Sequence, residues 1–500
     1  MHKSSLLEII RTFTPKELVK FEDFVNSPYF NKNKNAINLF NEVKKYAPEF
    51  IHENLEKEIV WKKLFQDKEY NYGIMKNIIH DLSKLCDSFL AEEIYAKNDH
   101  QRNADILQSV FDRSLERLFG NKYEMTVKQL KNDFKDKKFE SSSDYFNKMN
   151  KISELYELFL HSYKPQLKNK IDVKPECEYL IYEFFIKAFY LYQKITGHSF
   201  HYNHPVGENL LHIFLKSLEE CEDKIIEKVI ELSKNNSTDY YLILNCYYSL
   251  YKALKYNDNY KYCLEFKKNI SLIRDKISLV EYRNLNYANM TAMTNLTITL
   301  VNFSQEYFEI LMNVYNTGLF HNEDESINPH FFGNMVNLSC SVKEYEFAEK
   351  FIVQYSPKLP ADFRESVYNY SMSVLCFCKK EFNASLEYLS KIQNEFKSMK
   401  MNVKNLQLNI YYELNDRESF EYAYDSLKHY LGKNKMTNES RILVLTKYCG
   451  YVRSLFKIRE KFNSYEFDSL KKEITENKTL SKGWLLRKLD EIESENKKNR

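Results

Sequence analysis

The chain has 500 residues, with only 9 Gly, 9 Pro and 9 Cys, and aromatic residues make up 15% of it. Its 73 basic and 70 acidic residues nearly cancel to +3, too balanced a field to draw nucleic acid or an anionic membrane by charge alone. The length exceeds what one compact core usually supports, and so little Gly and Pro starves the turns that sheets, barrels and phosphate-cradling loops need, so long helices with short connections are expected.

The first stretch, MHKSSLLEIIRTFTPKELVKFE, carries an apolar run too short and too charged for a secretory signal. Residues 1–95 read as an N-terminal domain of five short helices. TPKELVKFEDFVNSP, residues 14–28, opens with a Thr cap, Pro at the first helical position and Glu three residues after the cap, and it closes before Pro28. AINLFNEVKKYA, KEIVWKKLF and YGIMKNIIHDLSKLCDSFL follow with apolar residues three and four apart. The last offers Ile74, Ile78, Leu82, Leu85 and Phe89 as one stripe.

A helical connector is expected over 96–177, basic around KQLKNDFKDKK, with a junction at the serine run SSSD, 141–144. Pro165 and Pro175 bracket a polar stretch. EYLIYEFFIKAFYLY, 178–192, is apolar nearly all round and should be a central helix. From 178 to 485 helix follows helix, and 486–500 reads as a frayed charged tail. The longest uncharged run, 284–305, could span a bilayer by length, but its Asn and Thr make insertion costly, so no membrane segment is expected.

Within the second half lies an internal repeat. KEYEFAEKFIVQY (343–355), KEFNASLEYLSKI (380–392) and ESFEYAYDSLKHY (418–430) each place a small residue three after an aromatic, and a large apolar residue four further on. The sets are Tyr345, Ala348 and Ile352; Phe382, Ser385 and Leu389; Phe420, Ala423 and Leu427. DNYKYCLEF, with Tyr260 and Cys263, is a poorer earlier copy. The small residue lets the second helix of a hairpin approach the first, and each hairpin leaves an apolar face for its neighbour to cover.

These segments resemble degenerate tetratricopeptide repeats over about 330–432, with Pro360 where that family often ends a repeat. They depart from it in length and in lacking its Trp-Leu-Gly signature. The resemblance implies an α-solenoid with a partner-binding groove lined by the first helices, where Asn337, Tyr370 and Tyr412 are expected to be exposed. Some tetratricopeptide domains clamp a C-terminal carboxylate with a Lys/Asn/Arg set, of which only Asn337 is matched here, so that ligand class is not expected. FEDFVNSPYFNKNKNAINLF resembles helical proteins of Bacteroidota-type genomes, which implies no activity.

Three places invite a chemical reading. GHSFHYNHPVGE, 197–208, spaces His198, His201 and His204 three apart in what Gly197, Pro205 and Gly207 mark as a loop, with Glu208 or His212 as a further ligand. No zinc signature is present, and a solvated loop is the preferred reading. His80-Asp81 resembles the dyad of metal-dependent HD phosphohydrolases, but it lies beside a packed stripe as on any amphipathic helix. WKKLFQDKEYNYGIMKNIIHDLSKL can be drawn as a DNA-reading helix pair; yet residues 1–95 carry 14 basic and 15 acidic residues, a balance of −1 without a basic footprint.

The nine scattered cysteines contain no CxxC, only the CxC of Cys376 and Cys378, as expected of reduced thiols in a cytoplasm. The expectation is an all-α protein, a small N-terminal helical bundle followed by a tetratricopeptide-like array. It should act without catalysis or cofactor as a scaffold for a peptide or protein. A nucleic-acid-binding regulator, then a metal-dependent hydrolase, are the alternatives.

Overall fold

Local chemistry starts the helices where the sequence says it should. Thr14 caps the second helix: its Oγ accepts from the Glu17 N–H at 3.2 Å, while the Glu17 carboxylate accepts from the Thr14 N–H at 2.8 Å. Asn33, Asn71, Asn98, Ser141, Asn209, Ser237 and Asn463 cap other helix starts, each with a side-chain oxygen that accepts a backbone N–H.

The computed structural model describes the chain except residues 2–3, 67, 165, 167–173, 203–208, 222–223, 257–258, 298–303, 323–324, 394–396, 434–438, 478 and 499–500, and the side chains of 198–202, 294–297, 397–398, 439–441 and 498. Among the described residues the secondary structure is helical, with one isolated bridge between His321 and Ile327. The chain divides into two compact units, Met1–Thr126 and Val127–Arg500.

The first unit holds α1 (Ser5–Ile10), α2 (Pro15–Asn26), α3 (Lys34–Lys44), α4 (Lys57–Leu64), α5 (Tyr72–Lys97), α6 (Asp99–Asp112) and the start of α7 (Glu116–Lys135). Its core gathers Phe13, Phe21, Phe40 and Phe89, with ring centroids 5.0–5.5 Å apart. The stripe on α5 differs from expectation by one residue. Met75 is buried and Ile74 is exposed, because Asn71 starts the helix with Ile74 N–H as its capped donor and so sets Ile74 at the rim. The expected connector is not a separate segment: α6 belongs to this unit and α8 to the next.

The second unit runs through α8 (Ser142–Tyr163), α9 (Lys174–Tyr202), α10 (Leu210–Glu220), α11 (Ile225–Ser233), α12 (Thr238–Lys255), α13 (Tyr260–Ile273), α14 (Leu279–Thr297) and α15 (Ser304–Asn316). It continues with α16 (Pro329–Ser341), α17 (Tyr345–Tyr355), α18 (Ala361–Cys378), α19 (Phe382–Ser390), α20 (Lys397–Glu413), α21 (Arg417–Lys433), α22 (Glu439–Glu460), α23 (Ser464–Glu476) and α24 (Lys482–Lys498). The 486–500 stretch is therefore not a frayed tail up to Lys498. It is most of α24, whose Leu489 and Ile492 are buried in the C-terminal core. Nor is α9 buried all round; Tyr182, Phe185 and Phe189 face the interior, but Leu180, Phe184 and Leu191 face outward.

One closure joins the hairpins. At Lys343, Lys380 and Asn415 the backbone turns left-handed, with φ of 67°, 66° and 55°. The following N–H reaches back to close the helix: Glu344 to the Ser339 carbonyl at 2.8 Å, Glu381 to Cys376 at 2.8 Å, Asp416 to Tyr411 at 3.1 Å. This is a Schellman end without its usual glycine. Ser114 and Lys137 make the same turn at φ 60°.

Counted from these turns, Ala348 and Ser385 both stand at the fifth residue and are buried. In the third hairpin that place is taken by Phe420, and the small residue Ala423 comes three later. The third repeat is thus displaced by almost one helical turn, because Phe420 fills the near position against Phe456, at 4.6 Å between centroids. In the second, Ser373 and Ser385 meet at 2.8 Å between hydroxyls.

The last helices are tied by a nearly buried acid. Glu413 at the end of α20 accepts from Trp484 Nε1 at 3.0 Å and Lys488 Nζ at 2.8 Å, both on α24.

A left-handed non-glycine residue costs on the order of 1 kcal/mol. Lys343→Gly and Lys380→Gly are each expected to raise the urea midpoint of the full chain, by up to about 1 kcal/mol of stability, and Lys→Ala to bring no comparable gain. A fall on Lys→Gly would contradict the assigned turn.

Candidate functional site

The first helices of the hairpins, α16, α18 and α20, lie between their own second helices and the next first helix, so little of their surface is open. Asn337 stands six residues before Lys343, Tyr370 ten before Lys380, and Tyr412 three before Asn415. Steps of four and three keep these positions on one helical face but at different heights along it.

Asn337 and Tyr370 are half-buried, and burial pushes the Tyr370 phenol well above its usual range. Tyr412 is not exposed as expected. Only 1% of it is accessible, and its ring packs edge-on against Trp484 at 5.3 Å and Phe456 at 5.7 Å. The cause is α24, which covers the end of α20 through the Glu413 contacts. Burial pushes the Tyr412 phenol well above its usual range.

The histidine segment is not all loop. α9 continues to Tyr202, so Gly197, His198 and His201 have helical backbone; Gly197 faces α14, where an added Cβ would lie 3.8 Å from Thr291 Cγ2. The side chains of His198 and His201, and all of His204 and Glu208, lie outside the described residues. His212 is engaged elsewhere. Its ring packs on Tyr192 at 4.6 Å and meets the Asn209 amide, and burial lowers its pKa. Among the described residues no three His, Cys, Asp or Glu side chains gather as a metal site. His80 is exposed, whereas Asp81 accepts from the Asn33 amide at 2.8 Å and so steadies the cap of α3.

Two acid clusters escaped the sequence reading. Glu219 on α10 accepts from Tyr251 Oη at 2.9 Å and Tyr256 Oη, and pairs with Lys255. Burial alone would raise its pKa, but Lys255 and the two hydroxyls outweigh it and hold the carboxyl below the ordinary value.

The deeper acid is Glu281 on α14, only 3% exposed. One carboxylate oxygen accepts from both the N–H and Oγ of Ser142, each at 2.9 Å; the other accepts from Tyr247 Oη at 2.7 Å. Ser278 accepts from the Glu281 N–H at 3.1 Å and donates to the Glu140 carbonyl at 3.0 Å. The junction expected at 141–144 is the start of α8. Ser142 and Ser143 are buried, and the first turn of α8 carries an acid 139 residues further along the chain.

Burial drives the Glu281 pKa up to about 7, against the pull of its three donors. Three donors on a sealed carboxylate leave no opening for a reactant, so its chemistry is structural. The signal that could have found it was an acid three residues after a Ser cap, which identifies a helix start but not a long-range partner.

A raised folded pKa means that the native state binds the proton more tightly than the unfolded chain does. Below about pH 4.5 Glu281 brings no penalty; as pH rises through 7 it subtracts stability, up to roughly 3 kcal/mol. Glu281→Gln should therefore be more destabilised relative to the parent at pH 5 than at pH 8 in urea titrations. A difference that does not change with pH would show that Glu281 is ionised throughout.

No family model matches the chain, and neither does any curated protein or solved structure.

Proposed function

We propose that the chain is a non-catalytic scaffold, whose tetratricopeptide-like hairpins form an α-solenoid that holds a peptide or protein partner along its first helices in the cytoplasm. The observation that carries this reading is the recurrence of one closure with one packing order. α16 touches α17 and α18, α18 touches α19 and α20, α20 touches α21 and α22, and α22 touches α23 and α24. Hairpins that cover one another in this order line up their first helices along one side, and repeat arrays use that side to bind extended segments.

The chemistry of the half-open positions supports a polypeptide partner. Asn337 supplies amide hydrogen bonding and Tyr370 a rigid aromatic ring whose phenol is buried, residue types that peptide-binding surfaces favour. Tyr412 drops out of the expected set, being under α24.

A photo-crosslinking amino acid at Tyr370, in the full chain expressed in its own host, should give a discrete, nuclease-resistant protein adduct. The same residue at Tyr422, 80% exposed on the second helix α21, should give none. Equal adducts at both sites, none at either, or a nuclease-sensitive product at Tyr370 would count against a protein partner on this face.

A further inference from the structure

Both sides of α9 are apolar, but only one is packed. Tyr182 and Phe189 turn inward, onto Phe146 of α8 and onto Tyr248 and Tyr251 of α12, with ring centroids 5.3–5.8 Å apart. On the outer side Leu180, Phe184 and Leu191 share one stripe of the helix and are 39–53% exposed. α10 widens that stripe. Its Leu210, Ile213 and Phe214 are 47–85% exposed, and Phe214 meets Phe184 edge-on at 5.5 Å, so the two helices share one apolar face. Contiguous exposed faces of this kind mark contacts with other molecules.

The charges that α9 exposes have one sign. Lys187 and Lys194 stand two turns apart along one edge of the stripe, and Lys174 stands beyond the other edge, all three exposed. The acids of α9 lie deeper. Glu176 and Glu178 are half-buried, and Glu183 is buried, where the Asn147 amide donates to both its oxygens at 2.9 Å. Lys174 pairs with Glu178 and Lys187 with Glu183 within the helix, yet 69% and 53% of the two lysine side chains remain exposed. Their ammonium ends therefore still offer charge to solvent. On α10, Lys216 and Glu220 pair at 3.8 Å and offset each other.

We infer that the α9–α10 face docks one amphipathic helix of a partner protein, which lays down its apolar side and turns an acidic edge to Lys187 and Lys194. From Lys174 to Lys194 the strip is about 30 Å long at 1.5 Å per residue, and a helix of similar length laid along it would cover it. Apolar anchors three and four residues apart pack beside Phe184 and Leu191, and carboxylates two turns apart meet the two ammonium groups. A second copy of the chain is the poorer match, because packing the stripe antiparallel on itself sets one lysine edge against the other. The face lies ahead of the repeats in the chain, so it stands whether or not their first helices bind a partner.

The test places a photo-crosslinking amino acid at Leu191 of the full chain in its own host and maps the adduct by mass spectrometry. The expected adduct is one segment of another protein, with apolar residues three and four apart and acids along one flank. Lys194→Glu should cut its yield several-fold while Lys194→Arg preserves it, a response that a purely apolar contact lacks. Phe184→Ser should abolish it with the helix content by circular dichroism unchanged; the parent adduct map needs no variant to fold. An adduct to a second copy, to another part of the same chain, to nucleic acid or to a basic segment would overturn the inference. So would no adduct, or a yield indifferent to Lys194→Glu. Co-sedimentation with vesicles of phosphatidylglycerol and phosphatidylcholine that Phe184→Ser removes would also overturn it, by making the face a lipid-binding one.

Discussion

Two helices can lie against each other only as closely as their side chains allow, and the hairpins of the second unit are organised around that limit. Where α18 meets α19, Ser373 and Ser385 touch through their hydroxyls, and each also donates to the other's backbone carbonyl. A hydroxyl so placed satisfies its polarity within the contact and demands almost no space. The left-handed turn between the helices sends the chain back at an angle that keeps those small residues opposed. Where a large ring takes the near position, as Phe420 does, the motif moves three residues along and Phe456 of α22 becomes its partner. The spacing of the repeat therefore follows from what each contact can hold, not from a fixed count.

The same unit tolerates buried charge by surrounding it with donors. Glu281 and Glu413 are each reached by groups distant in sequence: a helix start and a tyrosine for the first, a tryptophan and a lysine for the second. Burying an acid is costly unless its oxygens are occupied, so each acid specifies which helices meet and in what register. Apolar faces alone would let neighbouring helices slide, since many leucine, tyrosine and phenylalanine contacts are nearly interchangeable.

Much of this was legible in the sequence. The 3.6-residue periodicity and the scarcity of Gly and Pro announced helices, and Thr14 with Glu17 announced a start that the structure reproduces bond for bond. Ala348, Ser385, Ile352 and Leu389 were recognisable as interior positions because they recur at one spacing, and they are buried. What could not be read depends on residues far away or on missing punctuation. The hairpin turns use lysine and asparagine where glycine would have signalled them. Tyr412 looked like a groove residue until α24, whose Trp484 stands 72 positions later, covered it. Ser142 read only as part of a junction because its acid partner lies on another helix. For the candidate groove the sequence located the helices; the accessible positions on them were decided by tertiary cover.

The contact between Glu413 and α24 also constrains how the protein is made. Synthesis proceeds from the N-terminus, so α20 is complete while the residues that will neutralise its terminal acid are still to be polymerised, and Lys488 follows 75 positions later. For that interval Glu413 lacks both of its donors, and the ring of Tyr412 has Phe456 of α22 against it but not Trp484. The end of α20 must stay in water, and the C-terminal core that shares Tyr412 and Phe456 with α24 cannot close. A translational pause or premature release within that window would leave an unfinished apolar surface far upstream of the point where the chain stopped.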